Sequence, residues 1–289
     1  MSLVECVPNF SEGRDPSKID SIVETIQASG ATVLDRTSDH DHHRSVITFA
    51  ASADVIGEAA FRAVERAVAS IDLRTHSGVH PRIGAADVVP FVPVRGATLQ
   101  DCARIARETG RRIWKELGVP VYLYEAAALR PECRNLADIR HGRVGSPDYG
   151  DEHHPSAGAV VVGARKFLIA FNVNLQTPDV GIAKRIARAV RHSSGGLPHL
   201  KAMGVLLATR NLAQVSMNLT DFEETPIHVA FEAVRREAER AGVGIAGTEI
   251  IGLVPERALE MTAAWYLQVE NFAPGIILEN RLENRSGQV

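Results

Sequence analysis

The segment that decides the fold is TVLDRTSDHDHHRSVITFAASADVIGEAAFRAVERAV, residues 32–68. Its pattern predicts a short strand over 32–34 and a second strand over 45–51, separated by a polar loop at 38–43. Ser52 then begins a helix in which apolar residues recur at helical spacing. Two strands followed by a helix form the centre of a βαββαβ unit.

The flanking segments complete this unit. A strand over 3–7 and a helix that begins at Asp15-Pro16 precede the quoted segment, and a strand over 87–92 follows it. A further helix over 99–117 and a strand over 121–124 extend the unit. The order strand, helix, strand, strand, helix, strand is the ferredoxin-like pattern.

The second half of the chain repeats this order. The predicted elements are a strand over 167–175, a helix over 178–192, strands over 202–208 and 212–219, a helix over 226–241 and a strand over 244–253. A last helix begins at Pro255, and the Gly- and Pro-containing stretch 130–156 is the predicted connection. The predicted fold class is therefore α+β, with two tandem ferredoxin-like subdomains at 1–160 and 161–289.

The two predicted subdomains each have helices on one face of the sheet. The other face must also be buried, and packing the two sheets face to face would bury both. The cleft between facing sheets is then the expected ligand site, because pockets favour domain interfaces.

Composition excludes several classes of protein. The 289 residues contain 32 Lys and Arg against 35 Asp and Glu, and no run of basic residues favours a nucleic-acid partner. The three cysteines form no Cys-x-x-Cys pair, which indicates a reducing compartment. No basic and apolar leader begins the sequence, and no stretch approaches the ~18 apolar residues of a membrane span. We therefore expect a cytoplasmic protein without a membrane partner.

The densest group of reactive side chains is HSGVHPRIGAAD, residues 76–87. An imidazole with a pKa near neutrality takes up and returns a proton at neutral pH, so His80 is a candidate general acid and base. The alternative is structural, with His80 capping a turn and Arg82 pairing with a surface carboxylate.

A second polar cluster, DRTSDHDHHR, occupies residues 35–44. Imidazole and carboxylate groups suit a zinc-like ion, but alternate side chains of an extended segment point to opposite sides. A metal site here would need further ligands, such as His76 and His80. A solvated loop and a substrate-contacting loop are the alternatives.

Two glycine-bearing stretches, 155–167 and 192–204, lack the spacing of a phosphate or dinucleotide loop. Their small residues would let the backbone approach a flat ligand, while Arg165 and Lys166 suit carboxylates. The alternatives are a surface turn for the first stretch and a flexible connector for the second.

Six segments resemble the formiminotransferase family, and the resemblance covers nearly the whole chain. They are VECVPNFSEG (4–13), HPR (80–82), Asp87 with PFVPV (90–94), VPVYLY (119–124), GARKFLIAFN (163–172) and NLAQVSMN (211–218). The resemblance implies two ferredoxin-like subdomains with a folate cleft between them. It also implies transfer of a formimino group from N-formimino-L-glutamate to tetrahydrofolate, in histidine degradation.

The resemblance places His80 at the family's catalytic histidine, in the N-terminal subdomain. Many relatives carry a glutamate at the position of Val79, so the group that orients His80 stays open. The resemblance also implies two folate-binding segments, the second in a C-terminal folate-binding subdomain. Their residues are Tyr149, Gly150, Asp151, Glu152, His153, His154, Pro155, Ser156, Ala157 and Gly158 in the first, and Gly195, Gly196, Leu197, Pro198, His199, Leu200, Lys201, Ala202, Met203 and Gly204 in the second.

This chemistry implies roles for several charged residues. The formimino group is a cationic amidine that Asp39 would stabilise, while Arg82, Arg165 or Lys201 would bind carboxylates. Tetrahydrofolate is expected as co-substrate, without a metal, and relatives suggest a homodimer. The sequence ends at Val289, so we expect the cyclodeaminase that is fused to some relatives to be a separate protein.

Three other functions stay open at this point. They are a metal-dependent hydrolase that uses the histidine clusters, a folate carrier without chemistry, and a related enzyme that acts on 5-formyltetrahydrofolate.

Overall fold

The computed structural model describes residues 2–40, 42–76, 82–151, 154–273 and 276–279. The strands are β1 Leu3–Cys6, β2 Asn9–Phe10, β3 Thr32–Asp39, β4 Arg44–Ser52, β5 Ala86–Arg95, β6 Val121–Glu125, β7 Val160–Ala164, β8 Ile169–Leu175, β9 Leu200–Leu207, β10 Leu212–Leu219 and β11 Ile245–Ile251. The helices are α1 Pro16–Ala28, α2 Ala53–Ser70, α3 Leu99–Leu117, α4 Leu136–Arg140, α5 Val180–Val190, α6 Ile227–Arg240 and α7 Glu256–Tyr266. No helix in these ranges is long and apolar enough to cross a bilayer.

The first unit, Met1–Lys166, contains a seven-stranded sheet. Strands β5, β1, β4 and β3 pair antiparallel in this order, which is the ferredoxin-like arrangement of a βαββαβ unit. Beyond Pro8, β2 continues the line of β1 between β4 and β5. Helices α1, α2 and α3 contribute to one apolar cluster with the strands, through residues such as Ile22, Phe61 and Ile113.

The second unit, Phe167–Val289, contains a four-stranded antiparallel sheet. Its order β11-β8-β10-β9 is again ferredoxin-like, since β8, α5, β9, β10, α6 and β11 follow one another along the chain. Its own core joins the strands to α5 and α6, for example through Val173, Ile186 and Val234. The prediction of two tandem ferredoxin-like subdomains is confirmed.

The boundary between the units differs from the prediction of 1–160 and 161–289. Strand β7 pairs in parallel with both β5 and β6 and is wholly buried, so residues 160–164 complete the first sheet. The glycine-bearing stretch 155–167 therefore contains a buried strand at its centre. Gly163 serves close packing here, because a Cβ at this position would lie 2.3 Å from the Tyr124 ring.

Strand β3 is longer than the predicted strand over 32–34 and extends into the predicted polar loop. It pairs with β4 from Thr32 opposite Ala50 to Asp39 opposite Arg44. Most of its side chains after Leu34 are exposed, which removes the apolar alternation that sequence patterns detect. The hairpin pairing fixes this edge strand and places Asp39 beside Arg44.

Helix α3 has the bounds that the sequence predicts. The Thr98 side chain accepts from the Asp101 backbone, and the Asp101 carboxylate accepts from the Thr98 backbone. This capping box begins the helix, and Gly118 in the left-handed region ends it. Local signals suffice at both ends because each partner lies within one helical turn.

Candidate active site

Three segments of the first unit meet at one end of its sheet. They are the turn between β2 and α1, the tip of the β3–β4 hairpin, and the residues just before β5. The Ser11 Oγ donates to the Gly84 carbonyl at 2.7 Å, which joins the first segment to the third. Gly13 lies so close to the hairpin that a Cβ there would be 2.3 Å from the Asp39 carbonyl oxygen.

Glu12 is the buried carboxylate of this region, with 3% of the residue exposed. Its Oε1 accepts from the backbone N–H groups of residues 13–15 at 3.0, 2.9 and 3.0 Å, and lies 2.8 Å from His43 Nε2. Lys18 Nζ donates to Oε2 at 3.2 Å. Burial opposes ionisation, but these hydrogen bonds outweigh it and lower the pKa of Glu12 to about 2. Glu12 is therefore a carboxylate anion at neutral pH.

Two imidazoles are stacked beside Glu12. The rings of His43 and His76 are 3.8 Å apart between centroids and inclined by 16°. Burial is the main cause that lowers the pKa of His76 to about 4, and the neighbouring Arg82 and His43 add to it. His76 is therefore neutral at pH 7 and is able to accept a hydrogen bond.

Arg82 connects this imidazole pair to the hairpin. Its Nη1 lies 2.7 and 2.8 Å from the two ring nitrogens of His76 and donates to the His43 carbonyl at 3.1 Å. Its Nη2 donates to the His42 carbonyl at 2.9 Å. His76 and Arg82, the described residues on either side of 77–81, therefore both contact the hairpin. His80 itself lies outside the described residues.

Asp87 is a second buried carboxylate, with 2% of the residue exposed. Its Oδ1 accepts from the Ile83 N–H at 2.9 Å, and its Oδ2 pairs with Arg140 Nη2. Arg44 lies in the same group. Burial lowers the pKa of the Arg44 guanidinium and Arg140 adds to the effect, while Asp87 opposes it.

Two of the residues expected to contact the substrate, Asp39 and Arg165, occupy separate places in the first unit. Asp39 ends β3 with its side chain about half exposed, and its carboxylate accepts from the His42 N–H at 2.7 Å. Arg165 directly follows β7, and its N–H donates to the Phe91 carbonyl at 3.0 Å. Burial raises the pKa of Glu5, and the Arg165 guanidinium opposes this shift, which places Arg165 near that carboxyl.

The first expected folate segment, 149–158, packs on the first unit. The Tyr149 carbonyl accepts from Val121 N–H at 2.9 Å, which fixes one end to β6. Ala157 is buried, and its carbonyl accepts from Ala85 N–H at 2.9 Å, next to the Arg82 region. The structure therefore brings the end of this segment to the candidate active site. Glu152 and His153 lie outside the described residues.

The second expected folate segment, 195–204, belongs to the second unit and is only partly a loop. Residues 200–204 belong to β9, which begins two residues before the strand predicted over 202–208. Gly204 packs against α5, since a Cβ there would be 2.3 Å from the Lys184 nitrogen. Its small size serves helix-to-strand packing.

The polar cluster at 35–44 does not gather three ligands in the part of the chain that the structure describes. His43 contacts Glu12, and His42 Nδ1 lies 3.0 Å from Asp39 Oδ2. Within the described ranges, no group of three or more His, Cys, Asp or Glu side chains is arranged to hold a metal ion.

Sequence reasoning missed the partners of these residues. Glu12 lies 31 residues from His43, and Arg140 lies 53 residues from Asp87. The sequence around Glu12 does indicate one part of its role. A carboxylate in a Ser-Glu-Gly turn before a helix is able to bind the exposed backbone N–H groups there. No such feature marks Arg140, because it lies in the connection whose composition predicts only a loop.

Two family models match the chain. The model described as the formiminotransferase domain, N-terminal subdomain, matches residues 3–165, and the model described as the formiminotransferase domain matches residues 170–282. The chain belongs to the formiminotransferase family. The two matches also fall on the two structural units of this formiminotransferase.

The names of similar proteins agree with this family membership. The glutamate formimidoyltransferase of Streptococcus pyogenes serotype M1 is 47% identical, over 97% of this formiminotransferase and 98% of the relative. The enzyme of that name from Thermoplasma acidophilum is 46% identical over 98% of both chains. The formimidoyltransferase-cyclodeaminase of Rattus norvegicus is 42% identical over 93% of this chain and 53% of the relative. The chain therefore matches about half of that longer relative.

Proposed function

We propose that this formiminotransferase moves the formimino group from N-formimino-L-glutamate to N5 of tetrahydrofolate. The products are L-glutamate and 5-formiminotetrahydrofolate, in histidine degradation. The observation that carries the proposal is the 47% identity, over nearly the full length of both chains, to a glutamate formimidoyltransferase. Tetrahydrofolate is a co-substrate here, and no step requires a metal ion.

The reaction needs two proton movements. N5 attacks the formimino carbon, a tetrahedral intermediate forms, and the glutamate amine departs as the C–N bond breaks. One proton leaves N5 and one reaches the departing nitrogen. We assign both transfers to His80, because a single imidazole between the two nitrogens is able to perform them, at a gain of about 10² to 10⁴ in rate.

The described residues on either side of 77–81 support this assignment. Arg82 and His76 are attached to the β3–β4 hairpin, and the hairpin is attached to ionised Glu12 through His43. Catalysis by a positioned imidazole depends on geometry, and these contacts hold the described residues on either side of 77–81 in place. We therefore propose Glu12, His43, His76 and Arg82 as positioning residues for His80.

The charged contacts with the substrates are also part of the proposal. We propose that Asp39 stabilises the cationic amidine and that Arg165 and Lys201 bind carboxylates, as expected from the sequence. Arg82 already donates to His42 and His43, so the structure favours a positioning role for it. The segments 149–158 and 195–204 are the proposed folate contacts, the first in the catalytic N-terminal subdomain and the second in the folate-binding C-terminal subdomain.

We also propose that the enzyme is a homodimer in the cytoplasm, with small-molecule substrates and a separate cyclodeaminase that consumes its product. Sedimentation equilibrium tests the dimer.

The function is tested by offering N-formimino-L-glutamate and 5-formyltetrahydrofolate side by side. We expect glutamate release that depends on tetrahydrofolate with the first, and no turnover with the second. Turnover of the formyl compound alone would overturn the proposal. A second aliquot treated with chelator should retain full activity; activity that is lost and then restored by zinc would support a metal-dependent hydrolase.

A further inference from the structure

Glu5 is a carboxyl group to which the proposed reaction gives no role. It lies in β1, which pairs with β4 on one side and β5 on the other, and it is opposite Ala50 and Val92. The residues before and after it, Val4 and Cys6, are fully buried in the core that α1, α2 and α3 share with the sheet. Successive side chains of a strand point to opposite faces, so Glu5 lies on the face turned away from these helices.

The surroundings of Glu5 on this face are aliphatic apart from one cation. Its two cross-strand neighbours are buried alanine and valine side chains, so neither offers it a hydrogen bond. Arg165 directly follows β7, whose residues 160, 162 and 164 belong to the core on the helix side. The alternation of the strand therefore places Arg165 on the same face as Glu5, and its guanidinium acts on the Glu5 carboxyl.

The Glu5 carboxyl is partly buried and lacks hydrogen-bond donors. Within the part of the chain that the structure describes, no N–H or O–H group donates to it. Burial raises the pKa of Glu5, and Arg165 opposes this shift. Glu12 differs, because three backbone N–H groups donate to its carboxylate. A partly buried carboxylate without donors is costly, and a ligand that supplies N–H groups would offset this cost.

We propose that the Glu5 carboxylate binds the 2-amino-4-oxopyrimidine edge of the tetrahydrofolate ring. The inference rests on the proposed function and names a further contact for its acceptor substrate. That edge has two parallel N–H donors, at N3 and at the 2-amino group, which match the two oxygens of one carboxylate. Arg165 keeps the role proposed above and favours the ionised form of Glu5 by its charge.

The other substrate suits Glu5 less well, although its amidine also has two N–H groups. N-formimino-L-glutamate has two carboxylates within a few bonds of the amidine, and these would bring like charges towards Glu5. The carboxylates of tetrahydrofolate are separated from its ring by the p-aminobenzoyl group. The pyrimidine edge itself is uncharged, so it supplies N–H donors without an accompanying anion.

Steady-state kinetics of Glu5→Gln, with each substrate varied in turn, test this contact. The amide keeps the size of the side chain but replaces an acceptor oxygen with an N–H donor. We therefore expect the KM for tetrahydrofolate to rise about 10- to 100-fold, and the KM for N-formimino-L-glutamate to stay within about twofold. Glu108→Gln is the matched control, since Glu108 is an exposed carboxylate of the same unit that pairs with Arg104, and it should change neither KM.

Calorimetric binding of tetrahydrofolate and of its 2-desamino analogue identifies the edge that Glu5 contacts. The analogue lacks one of the two N–H donors, so the wild-type protein should bind it about 10- to 100-fold more weakly than tetrahydrofolate. Glu5→Gln should bind the two ligands with similar affinity, because its amide no longer accepts both N–H groups. An equal preference for tetrahydrofolate in both proteins would place the 2-amino group elsewhere and overturn the assignment.

Thermal unfolding separates this contact from a structural role. The pKa of Glu5 is raised on folding, so its ionised form opposes folding at neutral pH, and the Tm of Glu5→Gln should be at or above that of the wild type. A lower Tm with unchanged KM values would make Glu5 a structural partner of Arg165 and overturn the proposal. A rise in the donor KM alone would assign Glu5 to the amidine and overturn it equally. These outcomes leave the proposed function intact, whereas a wild-type protein without formimino transfer overturns that function.

Discussion

At the scale of single residues, the candidate site places an anionic carboxylate close to a neutral imidazole. Glu12 has its pKa lowered to about 2 because hydrogen bonds favour the anion, although burial opposes it. His76 has its pKa lowered to about 4 because burial and Arg82 disfavour the cation. The His43 ring lies between them, 2.8 Å from Glu12 at Nε2 and stacked on His76. The result is an anion and a neutral acceptor at defined positions throughout the neutral pH range.

The first prediction concerns His80. His80→Ala should fold normally and bind folate, but lose about 10² to 10⁴ in kcat, since it removes the general acid and base. Circular dichroism, folate titration and glutamate release measure the three properties. A variant with wild-type turnover would remove His80 from the mechanism.

The second prediction concerns Glu12. Glu12→Gln removes the anion that holds His43, so His76 and Arg82 should be less well positioned and kcat should fall about 10- to 100-fold with little change in KM. Glu65→Gln is a suitable control, because Glu65 is a half-exposed carboxylate whose partner is Arg62. An unchanged kcat in a correctly folded Glu12→Gln protein would exclude the positioning role.

At the scale of elements, the β3–β4 hairpin organises the site. Its register places Asp39 opposite Arg44, and its tip supplies the carbonyls of His42 and His43 that Arg82 contacts. The turn before α1 fits against this tip because residue 13 is a glycine. A Cβ at Gly13 would be 2.3 Å from the Asp39 carbonyl oxygen and 2.6 Å from the Arg44 nitrogen.

The third prediction follows from this close approach. Gly13→Ala must separate the turn from the hairpin, so stability should fall by about 1–3 kcal/mol and activity should fall with it. Gly247→Ala is the matched control, since a Cβ there would meet no atom within 4 Å. Urea unfolding and glutamate release compare the two. Equal stability of the two variants would show that the turn is not held against the hairpin.

At the scale of the whole molecule, each unit has its own sheet and its own apolar core. The polar contacts described above for the candidate site join residues of the first unit. Acid should weaken this unit through the groups whose pKa values are lowered on folding.

The fourth prediction is the pH dependence of stability. Glu12 titrates at about 2 in the folded state against an ordinary value of 4.5, so the unfolded chain binds more protons and stability falls as the pH drops below about 4.5. The full difference corresponds to about 3 kcal/mol. His76, at about 4 against 6.5, acts in the same direction, and its contribution falls as the pH drops from about 6.5 towards 4.

Urea unfolding of the wild type and Glu12→Gln over this range provides the measurement. The variant should be less stable at neutral pH and should lose less stability than the wild type below about pH 4.5. Parallel curves would show that Glu12 is not the titrating group.

The sequence by itself determined the two βαββαβ units, the bounds of α3 and the general place of the reactive side chains. Hydrophobic period, capping residues and turns act over a few residues, so a single sequence displays them directly. Six sequence segments also resemble the formiminotransferase family, and the family models confirm that resemblance. The expected chemistry follows from the family.

Only the tertiary structure decided which polar groups meet. The pairs Glu12 with His43, Arg82 with the His43 carbonyl, and Asp87 with Arg140 are 31, 39 and 53 residues apart. The pairing of β7 with β5 likewise joins residues across the α3 crossover. Sheet register and the path of the connection set these contacts, and neither leaves a periodic signal in the residues that make them.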